Sequence, residues 1–377
     1  MHQITMLQNK IYQNFIKEIL KTFLVILFGL TVIAWTVRAV NFLDLVVESG
    51  YSIITYFQYS FLNIFGILTK FIPLSFLLAL IIFILKQIQE NEFVILWTSG
   101  VKKLKLINLF FVVSIFILFF YLIFSIFLTP LALNKSRLIL SKDGFNSFLP
   151  TIRVQQFSDS FQGFTFIVEK KFKNEIKNVF IHDKSNTLKN LTSEQSGKNS
   201  TTIVAEEGVV EEKKMILFNG QIISSEKNNL KSEIIKFQQL NIDLKNLQTD
   251  TIKTPKLQET STIKLANCML GFSEEKICEE GTKKEITTVL NRRLVLPFYM
   301  PIVSLLCSFL LIKTNSKKNY FLNKYSIFFL SFIILLYAEL IIRYTGISKL
   351  IGTLFIISPL ALIPIIYSIL ILKLSRE

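Results

Sequence analysis

Runs of Leu, Ile, Val and Phe on either side of a charged central stretch constrain this chain more than any other feature. The central stretch, residues 131–291, carries 23 Lys/Arg and 20 Asp/Glu. About 20 apolar residues in a helix cross a bilayer, and three such runs precede the stretch and three follow it. The sequence therefore predicts an α-helical membrane protein with six transmembrane helices and one inserted soluble domain.

The predicted organisation has three parts: spans 1–3 in residues 1–130, the soluble domain in 131–291, and spans 4–6 in 292–377. We expect Gly66 and Pro73 to divide the second apolar run into an interfacial helix and a kinked span, and Pro130 to end the third. The predicted spans are residues 22–42, 53–85, 106–128, 294–312, 325–344 and 350–372.

Charge placement predicts the orientation. The turn after span 1 contains Asp44 and Glu48 but no basic residue, whereas residues 86–105 and 313–324 hold four lysines each. Lys and Arg concentrate in cytoplasmic loops. Both termini are therefore predicted to be cytoplasmic and the soluble domain to lie outside, which is the periplasm if the chain comes from a Gram-negative bacterium.

The soluble domain has an apolar period of two. Turn signals such as Phe218-Asn219-Gly220 separate the alternating segments, and helical periodicity is absent until the domain ends. Six to nine short strands of this kind predict an antiparallel β sandwich or jelly roll. The alternating apolar residues include Phe164, Phe166 and Val168, Val179 and Ile181, Ile203 and Ala205, and Met215 and Leu217.

Two of the three cysteines, Cys268 and Cys278, lie near the end of this domain. In an oxidising compartment they would be able to form a disulfide, and the sequence leaves that pairing open. Two cysteines without a nearby histidine do not fit a zinc site.

Six basic residues of the membrane half depart from the positive-inside pattern. Guanidinium and ammonium groups match phosphate oxygens, so together they predict a binding site for a phosphate-bearing amphiphile near the outer ends of the spans. The alternative is snorkelling to ordinary headgroups. Glu339 lies four residues before Arg343 and is expected to neutralise it, which makes Arg343 the weakest member. The six are Arg38, Lys70, Arg292, Arg293, Arg343 and Lys349.

A second candidate site is a short cytoplasmic helix at about residues 86–100. It begins with acidic Glu90 and Glu92 and ends at Ser99-Gly100. An acidic start and a glycine stop suit a docking helix that transmits force from a cytoplasmic partner. A plain connecting loop is the alternative.

Enzyme motifs are missing from the sequence. No two of the 13 glycines have the spacing of a nucleotide-binding P-loop. With only His2 and His182, a zinc-protease helix or a histidine-based triad is not expected. The sequence therefore predicts no catalytic residue, metal or cofactor, and no nucleic-acid partner.

The order of elements resembles the LptF/LptG permeases of the lipopolysaccharide exporter, and the resemblance covers essentially the whole chain. The run from Trp35 to Leu45 resembles the LptF-type stretch that ends in FLDL, and Asn91-Glu92-Phe93 followed by Ser99-Gly100 is similar to the family's coupling helix. The run from Asn291 to Pro297 resembles the RLxxP motif at the start of span 4. Asn41 stands where arginine is usual, Val289 lies near a usually acidic position, and the segment around the two cysteines looks like a local insertion.

The resemblance, closer to LptF than to LptG, implies a non-catalytic permease subunit of an ABC transporter. Its implied partners are an LptG-type permease, an LptB-type ATPase dimer that contacts Glu92, and an LptC/LptA-type periplasmic bridge. Lipopolysaccharide would pass along a periplasmic jelly roll lined by Phe164, Phe166, Val179 and Ile181, unless these residues form an ordinary core. A rival hypothesis is a mechanotransmission or sensor protein that moves no lipid. A membrane enzyme ranks last, since only Asp44, Glu48 and Glu339 are acidic near the outer face.

Overall fold

A computed structural model gives the fold of the chain. The structure describes residues 2–47, 51–143, 154–161, 164–172, 174–183, 200–211, 214–225, 232–243, 255–272, 278, 280–312 and 317–375. They belong to two compact units, one formed by residues 1–37, 63–134 and 256–377 and the other by 38–62 and 135–255. The predicted soluble domain extended to residue 291, whereas residues 256–291 belong to the mainly helical unit.

Six helical segments are long and apolar enough to cross a membrane, which confirms the prediction of six spans. The second is one continuous helix through Pro73, not an interfacial helix followed by a span. The helices are α1 (His2–Phe42), α2 (Asp44–Val47), α3 (Ile53–Gln89), α4 (Glu92–Thr98), α5 (Lys103–Ile123), α6 (Thr129–Asp143), α7 (Thr262–Leu270), α8 (Glu280–Leu294), α9 (Tyr299–Ser308), α10 (Lys317–Thr345) and α11 (Lys349–Ser375).

Helices α3 and α9 form the centre of the helical unit. All ten residues of α9 are buried, and 67% of the most apolar stretch of α3 is buried. The corresponding stretches of the first, fifth and sixth spans are only 17%, 22% and 17% buried. Helices α1, α10 and α11 therefore keep apolar faces available to lipid or to another protein.

The third span does not end at Pro130, as the sequence predicted. A π-helical turn, Phe124–Leu128, joins α5 to α6, and the helix continues to Asp143. Proline has no N–H to donate to the carbonyl four residues earlier. That carbonyl, of Ile126, instead accepts a hydrogen bond from the Thr262 hydroxyl at 3.3 Å. The Thr262 hydroxyl thus supplies the hydrogen bond that Pro130 cannot donate to the Ile126 carbonyl.

Helices α7 and α8 follow the β-strands, where the sequence predicted no helix. Ser261 caps α7 by accepting from the Lys264 N–H, and Gly271 ends it in the left-handed conformation. A disulfide joins Cys268 to Cys278. Leu265 and Ile286, both fully buried, pack beside Cys268 and hold the two helices together.

The inserted β-domain is a single six-stranded antiparallel sheet among the described residues. Its strand order, β1-β2-β3-β4-β5-β6, is a meander in which every strand pairs with its neighbours in sequence. This confirms an antiparallel β-domain between the third and fourth spans. The strands are β1 (Ser158–Phe161), β2 (Phe164–Phe172), β3 (Glu175–Asp183), β4 (Ser200–Glu211), β5 (Lys214–Ser225) and β6 (Ser232–Asp243).

The predicted alternation is confirmed for the buried pairs Phe166 and Val168, Val179 and Ile181, Ile203 and Ala205, and Met215 and Leu217. Phe166 pairs with Ile181, Ile181 with Ile203, and Ile203 with Ile222, so one row of buried apolar residues crosses four strands. Directly opposed side chains of this kind are the unit of sheet stabilisation. The buried set forms one cluster, in which every member is at most 3% exposed.

The alternation of buried and exposed residues slips by one residue at one row of the sheet, in each strand from β2 to β6, and we call this row the crease. Ile176 and Val179, three residues apart in β3, are both buried, and so are Ala205 and Gly208 in β4. The pairing of strands keeps the same register on both sides of the crease. The row at the crease consists of Glu169, Asn178, Glu206, Asn219 and Gln238.

Two asparagines allow the crease. Asn178 and Asn219 have φ values of 51° and 50°, a left-handed conformation that asparagine tolerates better than most residues. The predicted turn at Phe218-Asn219-Gly220 is therefore wrong, because β5 runs through it. Beside the crease, a Cβ atom on Gly220 would lie 2.4 Å from the Val204 carbonyl oxygen and 2.5 Å from Cζ of Phe237. Only glycine fits there.

The substitution Gly220→Ala is expected to destabilise the β-domain by about 1–3 kcal/mol, because the added methyl group meets backbone that has no room to move. Limited proteolysis of the purified full-length chain measures the effect as faster cleavage within residues 135–255. Gly29→Ala is the control, since nothing lies within 4 Å of a Cβ built there. Equal cleavage rates for the two variants would contradict the proposed packing at the crease.

Candidate functional site

The segment between α3 and α5 folds as a short helix held by two left-handed residues. Asn91, with φ 58°, precedes α4, and Gly100, with φ 85°, follows it. The Val101 N–H donates to the Leu96 carbonyl at 3.0 Å, and the Gly100 N–H donates to the Trp97 carbonyl at 3.1 Å. These two bonds define a Schellman motif, in which glycine is favoured at the left-handed position. Gly100, which was predicted to end the helix, is thus favoured there by the left-handed backbone.

One face of α4 is anchored and the other is exposed. Phe93 is 1% exposed and packs edge-on against Phe15 of α1, with ring centroids 6.2 Å apart. Leu96 is also buried, whereas Val94 and Ile95 are 48% and 64% exposed. The helix therefore presents an apolar outer face while its inner face is fixed to the helical core.

The acidic start of the segment differs in detail from the prediction. Glu90 lies in the turn and is exposed, and half-buried Glu92 is the first residue of α4. Lys86, which was assigned to the short helix, instead belongs to the end of α3. Ser99 donates its hydroxyl to the Leu96 carbonyl at 2.8 Å and so supports the end of the helix.

A polar contact between α1 and α3 was missed from the sequence. Lys86 Nζ lies 2.6 Å from Glu18 Oε1, and the buried Gln87 amide donates to Glu18 Oε2 at 3.2 Å. Glu18 is separated from both partners by more than 60 residues. Only its position as an isolated acid in an otherwise basic and apolar segment marks it in the sequence.

Four of the six predicted outer cations are exposed. Arg38 lies near the end of α1, Lys70 in the middle of α3, Arg343 near the end of α10, and Lys349 at the start of α11. The expected neutralisation of Arg343 by Glu339 is wrong, because Glu339 accepts a hydrogen bond from a different arginine, Arg292.

Arg292 is held at the surface of the helical unit. Its guanidinium donates to Glu339 Oε1 at 2.6 Å, and its backbone carbonyl accepts a bond from the buried Tyr121 hydroxyl at 3.2 Å. A phosphate would therefore have to compete with Glu339 for this side chain. The ion pair connects α8 to α10.

Arg293 is buried and fixed by oxygens of one segment. It is 5% exposed. One terminal nitrogen donates to the Thr260 carbonyl at 2.9 Å and to the Thr262 hydroxyl at 2.8 Å. The other donates to the carbonyls of Leu257 at 3.4 Å and Gln258 at 2.9 Å. We call this arrangement the Arg293 clamp. A lipid phosphate would reach the guanidinium only by replacing these bonds.

The predicted groove residues lie on the inner face of the sheet. Phe166 and Val179 are each 1% exposed, and Ile181 is fully buried. The backbone of Phe164 belongs to β2 and pairs with Asp183, but its side chain lies outside the described residues. An acyl chain would reach this face only after a rearrangement that exposes these side chains.

Within the described ranges, no group of three or more His, Cys, Asp or Glu side chains is placed to hold a metal ion. What the structure does bring together is a set of six spans, three before and three after an antiparallel β-domain, with an anchored short helix after the second. This arrangement defines the class as a polytopic α-helical membrane protein with an extramembrane β-domain.

The family within that class follows from comparison with known proteins. The model of the family described as lipopolysaccharide export system permease LptF/LptG matches residues 14–376. The chain belongs to this family. None of the curated proteins matches the sequence. The preference for LptF over LptG stays a prediction.

Arg293→Gln is expected to lower the stability of the chain by about 2–3 kcal/mol, because buried carbonyls of residues 257–260 would lose bonds to a charged donor. Thermal unfolding of the purified protein in detergent measures this as a lower Tm. Lys349→Gln removes a cation from an exposed side chain and serves as the control, with no expected shift. Equal Tm values for both variants would show that the clamp contributes nothing.

Proposed function

We propose that this chain is the non-catalytic, LptF-type permease subunit of an ABC transporter that extracts lipopolysaccharide from the inner membrane. Its partners would be an LptG-type permease, an LptB-type ATPase dimer and an LptC/LptA-type periplasmic bridge. The observation that carries the proposal is the match to lipopolysaccharide export permeases across residues 14–376. The exposed apolar face of α4 supports a coupling role, and the exposed cations support a role in binding the cargo.

The coupling role rests on α4. Its exposed face, with Ile95 beside Glu92, would dock into the ATPase, and nucleotide-driven closure there would move the helix. Phe93 would transfer that motion to Phe15 of α1, since the two rings are in contact. The ion pair between Glu18 and Lys86 joins α1 to α3 at the same end. Span 1 would thus respond to ATP hydrolysis in the partner.

The cargo role rests on exposed cations and on the peripheral spans. Arg38, Lys70 and Lys349 are exposed and match the phosphates of an anionic lipid. The exposed apolar faces of α1 and α10 would meet the second permease and enclose the lipid. Arg292 would join the cargo site only when phosphate displaces Glu339, and Arg293 would act by holding the clamp.

The orientation is supported by the disulfide. The Cys268–Cys278 bond lies between the third and fourth spans, as does the β-domain. Structural disulfides persist in oxidising compartments such as the periplasm. We therefore propose that the β-domain is periplasmic, that both termini are cytoplasmic, and that the protein resides in a bacterial inner membrane.

Transfer of lipopolysaccharide to the LptC/LptA-type bridge would use the edge of the sheet at β6. Among the described strands, β6 pairs on one side only, with β5. It is 12 residues long and exposes Ile234 and Ile235. A strand of the bridge protein added to such an edge would continue the sheet and its apolar face.

Glu92→Arg is expected to weaken association with the ATPase at least tenfold, because the substitution reverses a charge at the docking face. Co-purification of the tagged chain with its co-expressed neighbours measures the retained ATPase. Asp44→Arg makes the same charge change in α2 and should retain it. Normal ATPase recovery with Glu92→Arg would refute the docking role.

Photoreactive residues test the lipid path. We expect substitution at Phe166 or Ile181, on the inner face, to crosslink lipopolysaccharide in an ATP-dependent manner. The controls are Ile167 and Phe180, which pair with each other on the opposite face of the same two strands. Crosslinks of equal yield from both faces would exclude a path along the inner face.

A second candidate function is favoured by the tight packing of the sheet. Because its apolar face is almost fully buried, the β-domain also suits a sensor that binds a partner and transmits motion without conducting lipid. In that case the inner positions would give no crosslink in the presence of ATP, while Glu92→Arg would still release the ATPase.

A further inference from the structure

A pocket of about 480 Å³ lies where α4, α5 and α11 end or begin. None of the roles described above uses it. Trp97 of α4, Lys102 and Lys103 at the start of α5, and Leu374 at the end of α11 are among its lining residues. The pocket belongs entirely to the helical unit.

The lining combines an apolar floor with a cationic rim. Leu104, Ile371 and Leu374 supply aliphatic surface, and two lysines lie beside them. None of the described residues that line the pocket is acidic. Its charge is therefore suited to an anion, and its floor to the hydrocarbon beneath an anionic group.

Trp97 lines the pocket with its indole ring. Its ring stacks on Phe93 with centroids 6.1 Å apart, and Lys103 Nζ lies 4.8 Å above the ring. One of the two pocket lysines is therefore held against an aromatic surface.

The position of the pocket indicates the source of the anion. The third span begins at Lys103 and the sixth ends at Ser375, so the pocket lies at one boundary of the membrane-spanning helices. Ile371 and Leu372 on α11 are 39% and 59% exposed, and they extend the apolar floor along a span. Tryptophan and lysine together are typical of the headgroup level.

We infer that this pocket binds the headgroup of an anionic phospholipid from the membrane leaflet next to α4. The phosphate would lie between Lys102 and Lys103, and one acyl chain would follow Leu374 and Ile371. Because Trp97 belongs to α4, the lipid would steady the segment that carries the docking face. The site requires only that this end of the helices meets a membrane surface, so it stands apart from the lipopolysaccharide role.

Quenching of Trp97 fluorescence tests the site. The chain has two tryptophans, so Trp35→Phe leaves Trp97 as the reporter in the full-length protein. The protein is placed in phosphatidylcholine nanodiscs that contain a minor fraction of phosphatidylglycerol, with bromine on the acyl chains of one lipid or the other. We expect brominated phosphatidylglycerol to quench Trp97 severalfold more strongly per molecule than brominated phosphatidylcholine.

Lys102→Gln and Lys103→Gln should each reduce that selectivity roughly fivefold, as expected for one lysine at an anionic surface. Lys105→Gln is the control, because Lys105 lies on the same helix but does not line the pocket. Equal quenching by both lipids would overturn the proposal, as would an equal effect of all three substitutions. Loss of phosphatidylglycerol quenching when the co-purified ATPase is bound would assign the pocket to a protein contact and reject the lipid.

Discussion

The burial of one arginine holds together two segments of the helical unit that are far apart in sequence. A guanidinium away from water is very costly unless its hydrogen bonds are made, and Arg293 makes them with residues 257–262. Thr262, one of its acceptors, donates in turn to the Ile126 carbonyl that Pro130 leaves open. The helix that leads into the β-domain and the segment that returns from it are thereby fixed to the same side chain.

The buried core and the surfaces open to lipid or to other proteins belong to different helices. The buried α9 and the largely buried α3 form a fixed centre, and α1, α10 and α11 expose apolar side chains. The parts assigned to coupling and cargo lie on the periphery, where a neighbouring protein or lipid reaches them. Phe15 of α1 contacts both Phe93 of the docking segment and Phe83 of α3, so it connects that segment to a peripheral span and to the centre.

Hydrophobic periodicity predicted most of the helices and strands of this fold. Features that depend on contacts between residues far apart in sequence were not predicted. The six spans follow from apolar runs, and the buried row through Phe166 and Ile181 follows from alternation. Pro130 misled because its compensation comes from Thr262, over 130 residues away. Arg293 resembled a lipid contact because its acceptors are mostly backbone carbonyls, which leave no mark in a sequence. Glu18 was overlooked because its partners are on another helix.

The turn predicted within β5 was wrong because the same local sequence occurs in two kinds of structure. Asn219-Gly220 is typical of a hairpin turn, yet here β5 continues through it with Asn219 in the left-handed conformation. A hairpin turn and the continuous strand seen here both require left-handed backbone and a residue without a side chain. Only the pairing of β5 with β4 and β6 distinguishes them.

The crease leads us to expect that the spacing of residues within this sheet is strict among homologues. Five strands change phase at one row, so deleting a single residue from any of them would turn half of that strand inside out relative to its neighbours. Homologues should therefore vary in the length of their hairpin loops while keeping constant the number of residues between the crease and each inward position. Indels within the strands would persist only as matched sets.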